Sequence, residues 1–376
     1  MKILHIITSL KIGGAESALY NYLSACKNKN NHYVAYFYDG PNVAKIKKLG
    51  IATFYISGEF YKYDLFLYSK LKKLIKKIKP DIIHSALWSA NFISRILAKK
   101  LNIPIICDLH NEFSHNGKIR NWLEKLVIFK ANKYIAVSDS AYKSYHNFIK
   151  QNYDKHSNQL ISKTIKISNG IDVDFVHKTG LQANLSRKAL NLDTNDFVFG
   201  TVGRLEPVKN HELLIKSFYE LLKQTNKSNI KLCIIGDGSQ RNSLEKLTHK
   251  LKITDRVILL GQQPNTYKYY PIFDCFVLSS QSEGMPISLL EALCFGLPVI
   301  LTHKNTKHDV IENHKNGFIV PCGSQFELVR AMEKIYCSKI LCAKIRTSNL
   351  NLVKEKFDIN LVKKASNKLY KEILNK

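Results

Sequence analysis

The sequence predicts an α/β protein with two doubly wound domains, each built on a parallel sheet. Short apolar runs alternate with helix-like segments along the whole chain of 376 residues. This alternation stops once, between Asn169 and Asn195, where no strand pattern is present. Buried parallel strands are typically continuous runs of about four to eight apolar residues. Two series of such runs therefore predict two sheets whose carboxyl ends face a common cleft.

The individual strands follow from those apolar runs and from the turn residues that bound them. Before the interruption the predicted strands are Ile3–Thr8, His32–Phe37, Ile51–Tyr55, Ile82–Ser85, Ile105–Leu109, Tyr134–Val137 and Thr164–Ile167. After it they are Phe197–Val202, Lys231–Ile235, Val257–Leu260, Cys275–Leu278, Val299–Leu301 and Gly317–Val320. We predict a first domain over residues 1–180, a second over 181–355, and a helical segment over 356–376 that returns to the first domain.

Composition narrows the class of protein. Hydrophobic residues make up 45% of the chain, which is enough for two cores, yet no apolar run approaches the ~18 residues of a membrane-spanning helix. The N-terminus has no small-residue cleavage site and runs into Gly13-Gly14 as a first strand would, so a signal peptide is not expected. The 8 cysteines include no Cys-x-x-Cys pair, which predicts reduced thiols and a cytoplasmic protein.

The chain carries a formal net charge of +27, and residues 1–170 hold 27 Lys+Arg against 10 Asp+Glu. Such a field favours an anionic partner, such as a phospholipid surface or a phosphorylated substrate. The alternative is the compositional bias of a chain rich in Lys, Asn and Ile. No helix-turn-helix, zinc finger or aromatic RNA platform is recognisable, so nucleic acid is not the expected partner.

Residues 283–291 are the most informative segment. The apolar strand before them leads into Glu283, and Pro286 suits the first position of a helix. The amides of Ile287 and Ser288 would then be free donors at a positive helix end, which favours phosphate. Glu291 would lie more than one turn inside the helix. The alternative is a capped core helix with two solvated glutamates.

Four other segments end predicted strands with residues suited to the same cleft. Gly203 and Arg204 precede Lys209, and a guanidinium with an ammonium suits a diphosphate. The turn of Gly236 and Gly238 lacks the third glycine of a dinucleotide fingerprint and predicts a tight turn lining the cleft. Gly13-Gly14 and His110 complete the set. Plain turns, a solvated basic loop and a structural histidine are the alternatives.

These segments together resemble the signature of glycosyltransferase family 4, a family of retaining enzymes with the GT-B fold of two Rossmann-like domains. The resemblance spans almost the whole chain in the correct order. It rests on Gly13-Gly14-Ala15-Glu16, Asn169-Gly170-Ile171-Asp172, Gly203-Arg204 with Lys209, Gly236-Asp237-Gly238, and Glu283 with Glu291.

The resemblance implies a role for each residue. Arg204 and Lys209 would hold the diphosphate of a nucleotide sugar, Glu283 the sugar hydroxyls and Glu291 the ribose, with His110 beside the sugar and Gly13-Gly14 facing the phosphates or the acceptor. Catalysis is assigned to His110, Arg204, Lys209 and Glu283, and donor binding to Gly203, Gly236, Gly238, Gln262, Gly284, Met285, Pro286, Ile287, Ser288 and Glu291. Similar enzymes use neither cofactor nor metal.

By the same resemblance the reaction moves a sugar from a UDP-sugar to a lipid-linked or saccharide acceptor in bacterial cell-surface polysaccharide, lipopolysaccharide or glycolipid synthesis. Residues 118–133 are expected to contact the inner face of an anionic membrane peripherally. The expected contacts are Arg120, Trp122, Lys125, Phe129 and Lys130. A second basic amphipathic segment, Lys70–Lys79, is better explained as a crossover helix packed on the sheet.

Three other functions are compatible with a chain of this kind. A nucleotide-sugar epimerase or a sugar phosphorylase shares the fold, and a lectin-like protein would keep the cleft without turnover. The intact set of Arg204, Lys209, Glu283 and Glu291 argues against the lectin. The identities of the donor sugar and the acceptor do not follow from the sequence.

Overall fold

The structure is a computed structural model that describes residues 1–56, 65–110, 112–113, 117–305 and 308–375. It divides into two compact units. The first comprises Met1–Ile171 with Ile359–Lys376, and the second comprises Asp172–Asp358. Lys376, the end of the predicted returning segment, lies outside the described residues.

The first unit is built on a seven-stranded sheet in which every pairing is parallel. Its strands are β1 (Ile3–Ser9), β2 (His32–Tyr38), β3 (Ala52–Tyr55), β4 (Ile82–Ala86), β5 (Ile105–Leu109), β6 (Lys133–Ala136) and β7 (Thr164–Lys166). They lie in the order β3-β2-β1-β4-β5-β6-β7. The predicted strands and the doubly wound class are confirmed, and no strand end differs by more than one residue.

Helices cover both faces of this sheet because each crossover between parallel strands needs one. They are α1 (Gly14–Ala25), α2 (Asn42–Lys48), α3 (Leu65–Ile78), α4 (Trp88–Leu101), α5 (Lys118–Val127), α6 (Asp139–Asn152) and α7 (Ser157–Ser162). In α3 the apolar residues Leu71, Leu74, Ile75 and Ile78 are buried. The expectation that Lys70–Lys79 forms a packed crossover helix is therefore correct. Within the described residues, no helix combines the length and the apolar composition needed to cross a bilayer.

The second unit repeats the pattern with six parallel strands. Its elements are α8 (Val173–Gln182), β8 (Phe197–Val202), α9 (His211–Thr225), β9 (Ile230–Ile235), α10 (Arg241–Lys250), β10 (Val257–Leu259), β11 (Cys275–Leu278), α11 (Ile287–Cys294), β12 (Val299–His303), β13 (Gly317–Pro321), α12 (Gln325–Cys337) and α13 (Lys339–Lys356). The strand order is β10-β9-β8-β11-β12-β13.

The chain changes units at Ile171–Asp172, whereas the sequence placed the boundary at residues 180 and 181. Asp172 caps α8 by accepting a hydrogen bond from the Phe175 amide at 3.0 Å. The helix then packs on the second unit: a Cβ on Gly180 would lie 2.4 Å from the Phe295 ring. A helix start is a weak boundary signal in the sequence, because its packing partner lies far along the chain.

The C-terminal helix α14 (Ile359–Leu374) belongs to the first unit. The Ile359 amide donates to the Ile171 carbonyl at 2.9 Å, and a Cβ on Gly170 would lie 2.6 Å from the Val362 side chain. Leu369 and Tyr370 join the buried cluster around β1. The predicted return of residues 356–376 is thus made by α14, and Gly170 is the small residue over which it packs.

A pair of buried histidines links β1 to β2. His5 Nε2 and His32 Nδ1 are 3.0 Å apart, and the two residues are only 3% and 7% exposed. Burial, reinforced by the nearby Lys29 and His84, lowers the pKa of His32 to about 4. Burial, followed by His32 and His84, also lowers the pKa of His5. Both rings are therefore neutral near pH 7.

We expect the free energy of unfolding to fall as the pH drops from about 6.5 to 4. In that window the unfolded chain binds protons at these histidines, with a pKa near 6.5, and the folded chain does not. His32 alone would account for about 3 kcal/mol. Urea unfolding at a series of pH values measures the slope, and His32→Gln should flatten it. The exposed His249→Gln is the control; equal slopes in both variants would contradict the assignment.

Candidate functional site

The strand order of the second unit reverses between β8 and β11, and the loops after these strands carry the predicted charged residues. Doubly wound sheets bind ligands at the carboxyl ends of their strands, at such a reversal. Arg204 and Lys209 follow β8, and Glu283 follows β11. Parallel pairing of the two strands brings these loops to one edge of the sheet although they lie far apart in the sequence.

Lys209 and Glu283 form an ion pair in which each side chain is 19% exposed. The Ser280 hydroxyl also donates to Glu283 Oε1, at 2.6 Å. On the backbone side, the Ser279 hydroxyl donates to the Lys209 carbonyl at 2.9 Å. The two loops are therefore joined at both the charged groups and the main chain, which gives the pair a defined position.

Arg204 differs from Lys209 because its side chain is exposed. Across the described ranges of the chain no ion pair to its guanidinium is found. The five N–H donors of a guanidinium suit a diphosphate. The structure thus leaves Arg204 available to an anionic ligand at the reversal of the strand order.

The glycines of this edge pack main chain against main chain. Gly236 has a φ of +144°, and a Cβ there would lie 1.8 Å from the Gly203 carbonyl oxygen. A Cβ on Gly238 would lie 2.6 Å from the Leu205 carbonyl oxygen. Because these glycines have no Cβ, the turn after β9 can pack directly against the loop that carries Arg204. Their predicted contact with the donor stays a prediction, whereas their packing role explains the residue type.

Helix α11 begins one residue later than the sequence suggested. Pro286 was predicted at the first helical position, but its ψ of 125° is extended and Ile287 is the first helical residue. Pro286 makes no side-chain capping bond, and the first amides of a helix have no partner within it. Ile287 and Ser288 therefore start a helix without a cap, next to Gly284 and the buried Met285.

Glu291 lies inside α11 and is only 9% exposed. The hydroxyl of Tyr270 donates to its Oε2. The Tyr270 ring stacks on Phe295 with centroids 5.6 Å apart and planes 1° from parallel. Burial, followed by the Glu291 charge, raises the pKa of Tyr270, so its hydroxyl stays a donor. The second predicted carboxylate is thus held by an anchored tyrosine.

Gln262, which is predicted to bind the donor, lies in the loop after β10. Gly261 has a φ of +68°, a backbone conformation suited to glycine. Gln262 is exposed, while Gln263 donates to the Leu260 carbonyl at 2.9 Å and accepts from the Tyr269 hydroxyl at 2.7 Å. The structure therefore fixes Gln263 and leaves Gln262 open to a ligand.

In the first unit, His110 follows β5 and is 10% exposed. Its Nε2 lies 3.8 Å from Asp108 Oδ2, too far for a hydrogen bond. The other oxygen of Asp108 lies 2.8 Å from His84 Nε2, and His84 Nδ1 is 2.7 Å from the Tyr370 hydroxyl. Burial lowers the pKa of His110, partly opposed by the carboxylates of Asp108 and Glu16. A neutral His110 therefore adjoins a chain of polar groups that reaches α14.

A pocket of about 70 Å³ opens beside His110, within the first unit. Its polar lining includes Asp108, His84, His5 and Asn169, and apolar residues of β1, α1 and α14 supply part of the rest. Among the residues that the structure describes, no lysine or arginine lines it. A pocket with a carboxylate and without a cation suits a neutral ligand with hydroxyl groups better than a phosphate.

The Gly13-Gly14 turn is predicted to face the phosphates or the acceptor, and that contact stays a prediction. Glu16 is 7% exposed and accepts from the Ser9 hydroxyl at 2.5 Å. A Cβ on Gly13 would lie 2.3 Å from Glu16 Oε2, so this carboxylate covers Gly13. A phosphate approaching there would meet a like charge. Gly14 is exposed, with nothing within 4 Å of its Cβ position, so only this glycine stays open to a ligand.

The predicted membrane-contact segment consists of α5, a 3₁₀ turn over Ile128–Lys130 and the start of β6, and is not one continuous helix. Ile119 is 75% exposed, Trp122 60%, Leu126 54% and Phe129 42%. Arg120 and Lys125 are exposed beside them, and Lys130 is half-buried. We call Ile119, Arg120, Trp122, Lys125, Leu126, Phe129 and Lys130 the α5 surface.

The opposite side of α5 is tied to α4 by a buried ion pair. Arg95 and Glu124 are 1% and 2% exposed, and the two N–H···O contacts between them measure 2.5 and 2.7 Å. The Tyr134 hydroxyl lies 3.0 Å from Arg95 Nη1. Since Glu124 points inward, the apolar side chains of the α5 surface are held outward.

Two family models match the chain. One, described as glycosyltransferase family 4, matches residues 12–175, and the other, glycosyl transferases group 1, matches residues 182–350. Together the two matches span most of the chain. It belongs to glycosyltransferase family 4.

Among curated relatives of this family 4 glycosyltransferase, an uncharacterised glycosyltransferase of Methanocaldococcus jannaschii is 31% identical over 63% of this chain and 59% of its own length. A UDP-Gal:alpha-D-GlcNAc-diphosphoundecaprenol alpha-1,3-galactosyltransferase of Escherichia coli is 28% identical over 76% of this chain and 75% of its own. A Campylobacter jejuni alpha-1,4-N-acetyl-D-galactosaminyltransferase, named for an undecaprenol-diphosphate-linked saccharide, is 28% identical over 100% of this chain and 99% of its own.

Among solved structures, HepE of Anabaena in complex with UDP-glucose matches with a TM-score of 0.84. The match covers 99% of this chain and 100% of HepE at 20% sequence identity. At this identity the likeness shows the fold, which is the two-domain GT-B fold of the family.

Sequence reasoning missed several residues of this glycosyltransferase that lie next to the predicted ones. Asp108 could have been found, because it lies two residues before His110 and alternate strand residues share a face. Ser280, three residues before Glu283, lies within reach of the same loop. Tyr270 had no local signal, since its contact with Glu291 depends on how the turn before β11 packs against α11.

Proposed function

We propose that this family 4 glycosyltransferase moves a sugar from a UDP-sugar to a lipid-linked or saccharide acceptor in cell-surface polysaccharide or glycolipid synthesis. The transfer is proposed to retain the anomeric configuration and to need no metal. The observation that carries the proposal is the Lys209–Glu283 pair beside the exposed Arg204, at the reversal of the strand order. Cations for a diphosphate and a carboxylate for sugar hydroxyls lie there at one edge.

Each residue has a chemical task in this proposal. Arg204 and Lys209 neutralise the charge that develops on the leaving diphosphate, and the amides at the start of α11 add positive potential. Glu283 accepts hydrogen bonds from the sugar, and Glu291 accepts them from the ribose. The acceptor hydroxyl attacks the anomeric carbon on the face from which UDP departs and passes its proton to the departing diphosphate. This keeps the configuration, so no nucleophile of the enzyme is assigned. The role of His110 beside the sugar stays a prediction.

Metal independence follows in the proposal from these positive groups, which supply the charge that a divalent cation would otherwise bring to the diphosphate. Turnover should then be unchanged in excess EDTA. Restoration of a lost rate by added Mg²⁺ or Mn²⁺ would contradict this part of the proposal.

The named relatives support the donor and acceptor classes. The E. coli relative is named for a UDP-linked galactose donor and a diphosphoundecaprenol acceptor, and the C. jejuni relative is named for an undecaprenol-linked saccharide. The HepE structure was solved with UDP-glucose. A UDP-sugar and a polyprenyl-diphosphate saccharide are therefore the first substrates to test.

A thermal-shift screen of nucleotide sugars tests the donor proposal. We expect a UDP-sugar to raise the melting temperature more than the ADP- and GDP-sugars, since a ligand at 100 times its Kd stabilises by about 2.7 kcal/mol. UDP-glucose, UDP-galactose, UDP-GlcNAc and UDP-GalNAc form the first panel, with free glucose and galactose as controls. A flat response to every UDP compound would refute the proposal.

The requirement for an acceptor distinguishes a transferase from an epimerase with the same fold. A transferase should release UDP in the presence of a polyprenyl-diphosphate saccharide and release little without it. Conversion of the UDP-sugar without any acceptor and without UDP release would establish the epimerase instead.

We further propose that the α5 surface places the enzyme peripherally on an anionic membrane. Trp122 and Leu126 can enter the headgroup region, while Arg120 and Lys125 pair with acidic lipids. The buried Glu124, on the side of the helix opposite Trp122 and Leu126, supports this orientation of the two apolar side chains. A polyprenyl-linked acceptor would be reached from such a surface.

We expect the enzyme to sediment with vesicles that contain phosphatidylglycerol. With vesicles of pure phosphatidylcholine, little of the enzyme should sediment. Binding should weaken as salt rises, because a screened surface potential attracts lysines less. Trp122→Ala should reduce binding, whereas Ile340→Ala, an 85% exposed apolar residue of the second unit, should leave it unchanged. Equal partition into both kinds of vesicle would contradict the proposal.

A further inference from the structure

We propose that Thr302 is a positioning residue for Glu283: through Ser280 it holds one carboxylate oxygen of Glu283 in place and leaves the other for a hydroxyl of the donor sugar. The inference rests on the proposed function, since it deepens the role given there to Glu283. It concerns residues of β12 and of the loop after β11, which the sequence did not connect.

The first link joins the two strands beyond their paired residues. The last pair of the β11–β12 ladder is Leu278 with Leu301, and Thr302 comes next on β12. Its side chain is buried, with 5% of the residue exposed, and its hydroxyl lies 2.6 Å from the Ser280 carbonyl. Thr302 therefore holds the chain with a side-chain hydrogen bond where β11 leaves the sheet.

The second link joins that backbone to the carboxylate. Ser280 is 2% exposed, and its hydroxyl donates to Glu283 Oε1 at 2.6 Å. Because the Ser280 carbonyl is bound by Thr302, the direction of its side chain is set by β12. Cys322, just after β13, adds a weaker contact, with its sulfur 3.7 Å from the same carbonyl.

The third observation concerns which of the two carboxylate oxygens of Glu283 the protein binds. Lys209 and Ser280 both bind Oε1 of Glu283, and no hydrogen bond to Oε2 is found among the residues that the structure describes. Glu283 is 19% exposed, so the carboxylate is not sealed from a ligand. One oxygen is thus anchored by the protein, and Oε2 remains as an acceptor.

A fixed acceptor suits the hydroxyl groups of a sugar. A sugar hydroxyl donates to a carboxylate in a charge-assisted hydrogen bond, and a side chain already held in place loses less freedom when the ligand binds. Loss of the Thr302 hydroxyl should therefore weaken the contact with the sugar and spare the contacts with UDP.

Titration calorimetry with UDP and with a UDP-sugar tests this difference. The sugar used is the one that the unmodified enzyme binds most tightly among UDP-glucose, UDP-galactose, UDP-GlcNAc and UDP-GalNAc. We expect Thr302→Val and Ser280→Ala each to raise the Kd of that UDP-sugar about 3- to 10-fold, the range of one net hydrogen bond. The Kd of UDP should change less than about 2-fold in both.

Two further variants separate positioning from packing. Thr302→Ser keeps the hydroxyl and should restore the affinity for the UDP-sugar. Thr248→Val removes the hydroxyl of another buried threonine, whose Oγ1 donates to the Glu245 carbonyl at 2.8 Å, and should change neither Kd. If Thr302→Val does not fold, Ser280→Ala carries the same test on Glu283 directly.

The outcomes are distinct. Equal loss of UDP and UDP-sugar affinity in Thr302→Val, or no loss of either, would overturn the positioning role. A parent enzyme that binds UDP and its sugars equally would also overturn it. Failure of the parent to bind UDP at all would refute the proposed function itself.

Discussion

Arg204→Ala is expected to lower kcat about 10²- to 10³-fold, the usual loss when one preorganised charge stabiliser is removed. The guanidinium is exposed and without an ion pair among the described residues, so its removal should leave the free energy of unfolding within about 0.5 kcal/mol. An effect on turnover without an effect on stability is the signature of a group that acts on the substrate. UDP release in the presence of acceptor measures the first quantity, and urea unfolding measures the second.

Two variants sharpen this test. Arg204→Lys keeps a charge but loses the planar fork that matches two phosphate oxygens, so its rate should fall between those of the parent and Arg204→Ala. Arg330→Ala removes an exposed arginine of α12 whose partner is Glu327 and should leave turnover unchanged. Near-normal turnover in Arg204→Ala would remove Arg204 from the catalytic set.

Glu124→Ala is expected to destabilise the enzyme by about 3–5 kcal/mol, because it leaves the Arg95 guanidinium buried without its partner. Both side chains are almost fully buried and meet through two hydrogen bonds. The same substitution should reduce vesicle binding, since the pair holds the α5 surface outward. Urea unfolding gives the stability, and sedimentation with anionic vesicles gives the binding.

The double variant Arg95→Met with Glu124→Leu should recover most of the lost stability, because apolar replacement of a whole buried pair is often neutral or better. Glu212→Ala breaks an exposed ion pair with Lys216 and should cost less than about 1 kcal/mol. If breaking the buried pair costs no more than breaking the exposed one, the tie between α4 and α5 is not what orients the surface.

The predictions that were confirmed share one physical basis. Strands buried on both faces must be apolar along their length, so their positions can be read from short windows such as Cys275–Leu278. Likewise, the charged loops after β8 and β11 had to meet at one edge once the strand order reversed between them. Family membership followed from these loops, because their residue types and order are specific.

The predictions that were wrong concern features that depend on contacts between residues far apart in the sequence. Pro286 is compatible with either the cap or the first turn, and its ψ depends on how the loop after β11 reaches α11. The predicted domain boundary fell within α8, because a helix sequence does not state which sheet it packs on.

The sequence by itself determined the two doubly wound units, the family and the charged residues of the candidate site, because each depends on local patterns of burial and charge. Only the tertiary structure decided how those residues are held. Lys209 pairs with Glu283, Tyr270 binds Glu291, and Thr302 reaches Glu283 through Ser280. The physical reason is that the contacts Lys209–Glu283, Tyr270–Glu291 and Thr302–Ser280 join residues far apart in the sequence, which come close only when the sheet and its loops have folded.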